Sequence, residues 1–215
     1  MKKSGWYFIL CLTLLALMAC GDGDEDGAQG AAFSDAFETP GGWRTISDPE
    51  VEIAYADSGL MIEVKVLDRA AWTVAGHKFG DARVSVEAMP IGGPDDNAYG
   101  LVVRHVDDRN FYRFEISGDG YFAVQAPRES LGWEFLVDWT ASPAIHKGRE
   151  MNALQVECRG ATMIFSVNGV ELTRVEDARY SQGDVGLIAG TFYNEAGTQI
   201  LFDNFQVEPL EAAEE

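Results

Sequence analysis

Alternation of apolar and polar residues with a period of two is the feature that most constrains how this chain folds. Runs such as Arg83–Met89, Ala153–Cys158 and Gln199–Val207 have an apolar residue at about every second position. In a β-strand this spacing places the apolar side chains on one face, which can be buried. Turn residues separate such runs about every eight to twelve residues. After the N-terminal apolar run, no segment shows the sustained spacing of an amphipathic helix. The pattern predicts an all-β sandwich or barrel.

The strands and their turns can be assigned from this pattern. Asn168-Gly169 is the strongest turn signal, because a two-residue type I′ hairpin needs positive φ at both central positions. Ser117–Gly120 and Asp107–Asn110 are predicted to be four-residue hairpin loops. The predicted strands are Val51–Tyr55, Leu60–Val66, Arg83–Met89, Tyr99–Val106, Phe111–Ile116, Tyr121–Ala126, Trp133–Trp139, Ala153–Cys158, Met163–Val167, Val170–Val175, Val185–Phe192 and Gln199–Val207.

Several of these runs resemble one superfamily. The segments YGLVVRHVDDRNFYRFEISGDGYFAV, MNALQVECRGATMIFSVNGVEL, GDVGLIAG and ILFDNFQV are similar to the concanavalin A-like lectins and glucanases. The similarity is to the branch shared with laminin G-like domains and bacterial 3-keto-disaccharide hydrolases. It covers most of residues 33–207 and implies an antiparallel jelly-roll β-sandwich. This fold carries lectins, glycosidases, lyases and adhesion modules, so it does not by itself imply one function.

The N-terminus resembles that of a bacterial lipoprotein. Lys2 and Lys3 precede an apolar run of signal-peptide length, too short to span a bilayer comfortably. The run ends in Leu17-Met18-Ala19-Cys20, which is similar to a lipobox whose cysteine is lipidated, although Met18 is an unusual occupant. We expect residues 1–19 to be a signal peptide and Cys20 to attach the protein to a membrane outside the cytoplasm, the outer membrane if the organism has one.

Charge and cysteine content restrict the partners and the chemistry. The formal net charge is −19, which opposes binding to nucleic acid. Residues 20–32 are predicted to be an acidic tether, residues 33–210 one domain, and residues 211–215 a disordered tail. The tether begins like an EF-hand loop, but Phe33 occupies the twelfth position, where a calcium-binding glutamate is required. After removal of the signal and lipidation of Cys20, only Cys158 remains, and we expect it to be buried.

The hairpin around Asp107–Asn110 holds the first candidate site. With Val106 opposite Phe111, the two arginines Arg104 and Arg113 face each other, and they would repel unless an anion lies between them. Either Glu115 is that anion, or the arginines and Glu115 form a surface that binds sugar hydroxyls or acid groups. This register predicts an outer face of Val102, Arg104, Phe111, Arg113 and Glu115 and a core face of Leu101, Val103, His105, Tyr112, Phe114 and Ile116.

Aromatic residues offer a second way to bind sugar, by stacking on a pyranose ring. Trp72, expected just before a loop, and Tyr99, at the start of a strand, are the preferred candidates. Trp133 and Trp139 are further candidates. Together with Phe135 and Val137, however, they occupy alternate positions of one run, which favours a packed inner face.

Catalytic and metal sites are less well supported. Family 16 glucanases of this superfamily use an E-x-D-x-x-E strand, and no Glu of this chain is followed by Asp two positions later. His105 is expected at the edge of the core, and His77 and His146 in loops without the spacing of a zinc site. Asp203, together with Asp119 or Asp95, could supply oxygen ligands to a structural calcium ion. The alternative for Asp203 is a local hydrogen bond that shapes a bulge.

Three functions remain open at this stage. The first is a lipid-anchored, extracytoplasmic carbohydrate-binding module in the cell envelope, whose partners are a glycan and the membrane. The second is a glycoside hydrolase or lyase that acts on 3-keto sugars. The third is a laminin G-like adhesion module that binds proteins. An open cleft would favour the first two, whereas a flat apolar patch would favour the third.

Overall fold

Two antiparallel β-sheets packed face to face form a jelly-roll β-sandwich, as the sequence predicts. The computed structural model describes residues 31–57, 59–128 and 132–211. The predicted signal peptide, the predicted lipidation site Cys20 and most of the predicted tether lie outside the described residues. Within those three ranges there is no helix that could cross a membrane. We call the two sheets sheet A and sheet B.

Sheet A contains nine strands. Its edge strand carries the predicted Asn168-Gly169 turn, and the φ angles of 51° and 80° confirm the positive values expected there. In spatial order the strands are Val170–Glu176 (β13), Thr162–Val167 (β12), Asn152–Arg159 (β11), Ala82–Gly92 (β6), Thr198–Pro209 (β15), Gly59–Val64 (β4), Val51–Ala56 (β3) and Ile46–Ser47 (β2), with Phe33–Asp35 (β1) also paired to β15.

Sheet B contains six strands and carries the site described below. In spatial order the strands are Gly132–Ala141 (β10), Tyr121–Arg128 (β9), Asn110–Ile116 (β8), Asn97–Asp107 (β7), Gly183–Thr191 (β14) and Ala70–Phe79 (β5). The loops at one end of the sheet connect β8 to β9, β14 to β15 of sheet A, and β6 of sheet A to β7.

The core lies between the facing sides of the two sheets. Buried and half-buried residues alternate along β6 and β11, as expected for strands with one face in a core. Phe165 of sheet A contacts both Phe114 and Phe122 of sheet B, with ring centroids 5.6 and 6.4 Å apart. Cys158 is a free thiol and is buried in this layer, which confirms its predicted place.

One long strand was not predicted. The sequence pattern does not predict β5; it predicts Trp72 just before a loop and His77 in a loop. Both residues lie inside this strand. The run AAWTVAGHKF combines small residues, a glycine and charged residues, so its apolar alternation is weak. Strand pairing stabilises it instead: β5 forms the edge of sheet B by pairing with β14. Trp72 therefore sits on a sheet face, opposite Ile188.

A bulge in β7 changes the predicted register of the β7–β8 hairpin. Val103 pairs with Tyr112 and Asp107 with Asn110, so three residues of β7 lie opposite Phe111 alone. Arg104, at the start of this bulge, has a φ of 52°, which breaks the alternation of side chains. The predicted pairing of Arg104 with Arg113 is therefore wrong, because Val102 is the partner of Arg113.

Candidate functional site

The centre of the outer face of sheet B is closed by large side chains. Val102, Phe111 and Ile188 form a small apolar cluster there and are fully buried. Trp72 and Trp133 pack onto the cluster, with ring centroids 5.2 and 4.7 Å from that of Phe111. The two tryptophans thus form part of the protein's own structure at this face, and the centre of the face is not an open cleft.

Arg113 and Glu115 form a buried ion pair on the same face. Nη2 of Arg113 lies 2.8 Å from Oε1 of Glu115, and the amide of Gln125 donates to the other carboxylate oxygen at 3.1 Å. The side chain of Glu115 is fully buried, and Trp133 lies over the guanidinium of Arg113 at 5.0 Å. The expected outer face is confirmed for Val102, Phe111, Arg113 and Glu115 but not for Arg104, and Glu115 is the anion that neutralises Arg113. The expected open binding surface is not found, because the pair is covered.

Arg104 and Tyr99, two predicted ligand residues, lie inside the sandwich. Arg104 is 2% exposed and donates from Nη1 to the carbonyl of Tyr180 at 2.9 Å and from Nη2 to that of Gly160 at 2.6 Å. Tyr99 is fully buried on the inner face and accepts a hydrogen bond from the amide of Asn152 at 3.3 Å. Burial raises the pKa of the Tyr99 hydroxyl above its ordinary value. Neither side chain reaches a surface where a glycan could contact it.

His105 leaves the predicted core face because of the bulge at Arg104. Its ring stacks against Phe111 on the outer side, with centroids 5.2 Å apart, and Nε2 lies 3.7 Å from a carboxylate oxygen of Asp108. His146 is in a loop, as predicted, and its Nδ1 lies 2.9 Å from the carbonyl of Met151. None of these arrangements joins two histidines into one site.

Of the aspartates predicted to bind calcium, Asp203 lies in a strand of sheet A and Asp119 in a loop of sheet B. Asp203 belongs to β15, and its carboxylate accepts a hydrogen bond from the backbone N–H of Asn204 at 2.7 Å. Asn204 has a φ of 53° within a register shift of that strand. Of the two alternatives for Asp203, the structure therefore matches the local hydrogen bond that shapes a bulge. Asp119 lies in the β8–β9 loop and accepts from Ser117. Among the described residues, no three His, Cys, Asp or Glu side chains are grouped as metal ligands would be.

An aromatic cleft opens at one end of sheet B, where the loops before β7, after β8 and after β14 meet β10. Its volume is about 480 Å³. We use the name aromatic cleft for the space lined by Asp96, Ser117, Asp119, Tyr121, Phe135, Trp139, Phe192 and Asn194.

The exposed aromatic rings of the described residues gather at this cleft. Phe135 is 49% exposed and Tyr121 is 40% exposed, and both line it. Tyr193, which is 76% exposed, follows Phe192 in the chain. Trp139 packs edge-on against Phe192, with ring centroids 5.5 Å apart. Exposed rings are costly to leave in water and are typical of binding sites when they cluster.

Two register shifts in β10 turn one of its side chains toward the core and leave its aromatic rings on the outer side. The pairing with β9 shifts after Phe135 and again after Val137, so that the neighbours Leu136 and Val137 both pack against the main core. Phe135 and Trp139 then lie at the cleft. The predicted packed inner face of alternate residues is therefore wrong. Trp133 and Phe135 precede the first shift and lie on the outer side; of the four alternate residues only Val137 turns to the core, and the second shift returns Trp139 to the outer side.

The polar groups of the cleft are held by the loops. The amide of Asn194 donates to Asp96 at 3.0 Å, and the Ser117 hydroxyl donates to Asp119. Asn97 fixes the neighbouring backbone by accepting from the N–H of Gly118 at 3.1 Å. A carboxylate has about four acceptor positions, so each aspartate retains acceptors for further donors. Apolar rings beside carboxylates and amides suit the C–H faces and hydroxyls of a sugar.

A second, larger groove of about 910 Å³ lies near the other end of the β9–β10 hairpin. It is lined by Trp133 and by three arginines, Arg109, Arg128 and Arg179. Arg179 is already paired with Glu134 at 2.7 Å and with Asp177. Two of its walls, Arg128 and Gly132, adjoin residues 129–131, which lie outside the described part of the chain. We therefore place the candidate site in the aromatic cleft.

Sequence analysis found this site only in part. Trp139 was named as a stacking candidate and Asp119 as an oxygen donor, but Asp96, Tyr121, Phe192 and Asn194 were not named as site residues. The signal that could have identified them is the pair Phe192-Tyr193 followed by Asn194, because two successive aromatic residues at a strand end cannot both face the core.

Comparison with known proteins supports the fold. No family model matches the chain, and no curated protein matches it. A carbohydrate-binding module, CBM66 from Bacillus subtilis, superposes with a TM-score of 0.63 at 16% identity, over 78% of this chain and 95% of that one. A galectin-like protein of unknown function from Bacillus subtilis gives 0.63 at 14% identity, over 84% and 97%. A GH16 protein from Bacteroides ovatus gives 0.57 at 7% identity, over 82% and 99%.

Proposed function

We propose that this protein is a carbohydrate-binding module that holds a glycan in the aromatic cleft. The observation that carries the proposal is the clustering of the exposed rings of Tyr121 and Phe135 with the carboxylates of Asp96 and Asp119. Sugars present apolar C–H faces and polar hydroxyls on the same ring, and this cleft offers a partner for each. The similarity in fold to a carbohydrate-binding module is consistent with the proposal.

Binding is favoured over hydrolysis of 3-keto sugars. An enzyme at the predicted arginine site would need a carboxylate or histidine near Arg104, Arg113 and Glu115 in an open cleft. Glu115 is fully buried and paired, and Arg104 lies in the interior. A retaining glycosidase needs two carboxyl groups about 5–5.5 Å apart, both of which must reach the substrate, and a carboxylate buried as Glu115 is cannot reach one.

Glycan binding is also favoured over a laminin G-like adhesion surface. A protein-binding module would present a flat apolar patch. The exposed rings here line a shallow cleft, and polar groups from three loops lie beside them as partners for sugar hydroxyls. A cleft of a few hundred cubic ångströms lies in the size range of small-molecule and saccharide sites.

We further propose that the protein is anchored by lipid at Cys20 outside the cytoplasm. The support is the sequence Leu17-Met18-Ala19-Cys20 after an apolar run. Several acyl chains on one cysteine give stable attachment, because each buried methylene contributes about 0.8 kcal/mol. Radiolabelled palmitate should be incorporated into the native protein and not into Cys20→Ala. Equal labelling of both would contradict the anchor.

Affinity electrophoresis through gels that contain different polysaccharides tests glycan binding. One class of glycan should retard the native protein, and Phe135→Ala and Tyr121→Ala should abolish most of that retardation. Val170→Ala is the matched control, because Val170 is 50% exposed but lies at the edge of sheet A. A chelator in parallel gels tests for a calcium requirement. Retardation that survives both aromatic substitutions would exclude the aromatic cleft.

A further inference from the structure

The charged side chains that line the aromatic cleft all have one sign. Asp96 and Asp119 are the charged side chains among its lining residues, and no lysine or arginine lines it. Lys147 lies against Gly120 in the adjacent loop but does not line the cleft. The protein as a whole carries a formal charge of −19, so its long-range field adds to the local one and opposes the approach of an anion.

The aromatic rings of the cleft, like its carboxylates, attract cations. The face of an aromatic ring carries partial negative charge and attracts a cation within about 6 Å of its centre. Tyr121, Phe135, Trp139 and Phe192 supply such rings. A protonated amine near them could also donate to acceptor positions that Asp96 and Asp119 retain beside their bonds to Asn194 and Ser117.

We infer that the aromatic cleft selects glycans that carry protonated amines, as an amino sugar with a free amine does, over the same sugars without that charge. The inference rests on the proposed function, since it specifies the class of glycan bound at that site. Glycans with carboxylate or sulfate groups are excluded by the same charges. A neutral glycan still finds the rings and the acceptors but lacks the attraction between opposite charges.

Two oligosaccharides of equal length separate charge from shape. We would titrate the native protein calorimetrically with an oligomer of glucosamine and with its fully N-acetylated form, at a pH where the amine is protonated. The free-amine form should bind roughly tenfold more tightly at low salt, which corresponds to about 1.4 kcal/mol. That advantage should shrink as salt is added, because exposed charges are screened. Equal affinities for the two oligomers would overturn the inference.

Matched variants locate the effect. The double variant Asp96→Asn with Asp119→Asn should lose most of the preference for the amine form. The control double variant Glu38→Gln with Glu171→Gln changes the net charge equally at exposed residues outside the cleft, and it should keep the preference. If both doubles lose it equally, the attraction is non-specific and the inference fails.

The proposed function can fail or survive separately. If Phe135→Ala weakens binding of both oligomers equally but the native affinities are equal, glycan binding at the cleft stands and the selection for amines is wrong. If neither oligomer binds, the inference is wrong, and the gels with neutral polysaccharides then decide independently whether the cleft binds glycans.

Discussion

Arg104 donates from Nη2 to the carbonyl oxygen of Gly160 at 2.6 Å and so joins a bulge of sheet B to a hairpin turn of sheet A. Asp81 lies 3.6 Å from the same nitrogen. A buried guanidinium is stable only while its charge and donors are met. This contact therefore stabilises the packing of the two sheets near the end opposite the aromatic cleft.

Removing this guanidinium should destabilise the fold. Arg104→Ala leaves the carbonyls of Gly160 and Tyr180 without their donor, and we expect the free energy of unfolding to fall by about 3–5 kcal/mol. Urea denaturation followed by tryptophan fluorescence measures this. Arg174→Ala is the control, since that arginine forms an exposed pair with Glu171 worth about 0–1 kcal/mol. Similar losses in both variants would show that Arg104 has no special structural role.

Phe135→Ala should separate binding from stability. Because Phe135 is 49% exposed, its removal should lower the free energy of unfolding by less than about 1 kcal/mol. Loss of one stacking ring should weaken glycan binding roughly three- to tenfold. Calorimetry and urea denaturation on the same variant give both quantities. A large loss of stability with unchanged affinity would mean that Phe135 has a packing role.

Glu157 should make stability depend on acid pH. Hydrogen bonds from Arg159 and then Arg83 lower the pKa of Glu157 below its ordinary value of 4.5. The contribution of ionised Glu157 to the free energy of unfolding is therefore complete above about pH 4.5. It is lost as the pH falls through the lower pKa that Glu157 has in the folded protein. The stability difference between native protein and Glu157→Gln should be constant near neutrality and shrink in acid. Urea denaturation at a series of pH values measures it, and a difference that grows in acid would contradict the assignment.

Cys158 should resist alkylation while the protein is folded. Burial raises the pKa of its thiol to about 12, and the thiolate is the reactive form. Iodoacetamide should therefore modify Cys158 only when the sandwich opens, at a rate that rises with urea as unfolding does. Peptide mapping by mass spectrometry distinguishes Cys158 from other cysteines. Rapid modification in the absence of urea would show that the thiol is accessible in the native state.

The sequence predicted most of the fold because alternation depends on burial alone. β11 and β12 pair around a core of Leu154, Val156 and Phe165, and each of these was recognisable as a buried position. The sequence pattern does not reveal β5, because this strand includes Gly76, which has positive φ, and the exposed residues His77 and Lys78. Pairing with a neighbouring strand, which no local pattern reveals, is what makes it a strand.

The candidate site was harder to predict because bulges and loops create it. Arg104 lies within a register shift of β7, and two register shifts follow Phe135 in β10. Each inserted residue moves the side chains that follow it to the other face of the sheet. Asp96, Asp119 and Asn194 come from three separate loops. Their proximity depends on how the two sheets connect, so residue type alone could not bring them together.

The pairing of β1 places the entry of the chain into the sandwich at the end opposite the aromatic cleft. Phe33 lies opposite Val207, and Val207 lies opposite Val84 near the start of β6. β6 then runs to Gly92, beyond which the chain reaches Asp96 at the cleft, and its ten residue steps of about 3.3 Å span roughly 30 Å. If the protein is held by lipid at Cys20, as we propose, the chain enters the sandwich at the end opposite the cleft. Polymers in the surrounding medium would then have access to the cleft from the side away from the point of attachment.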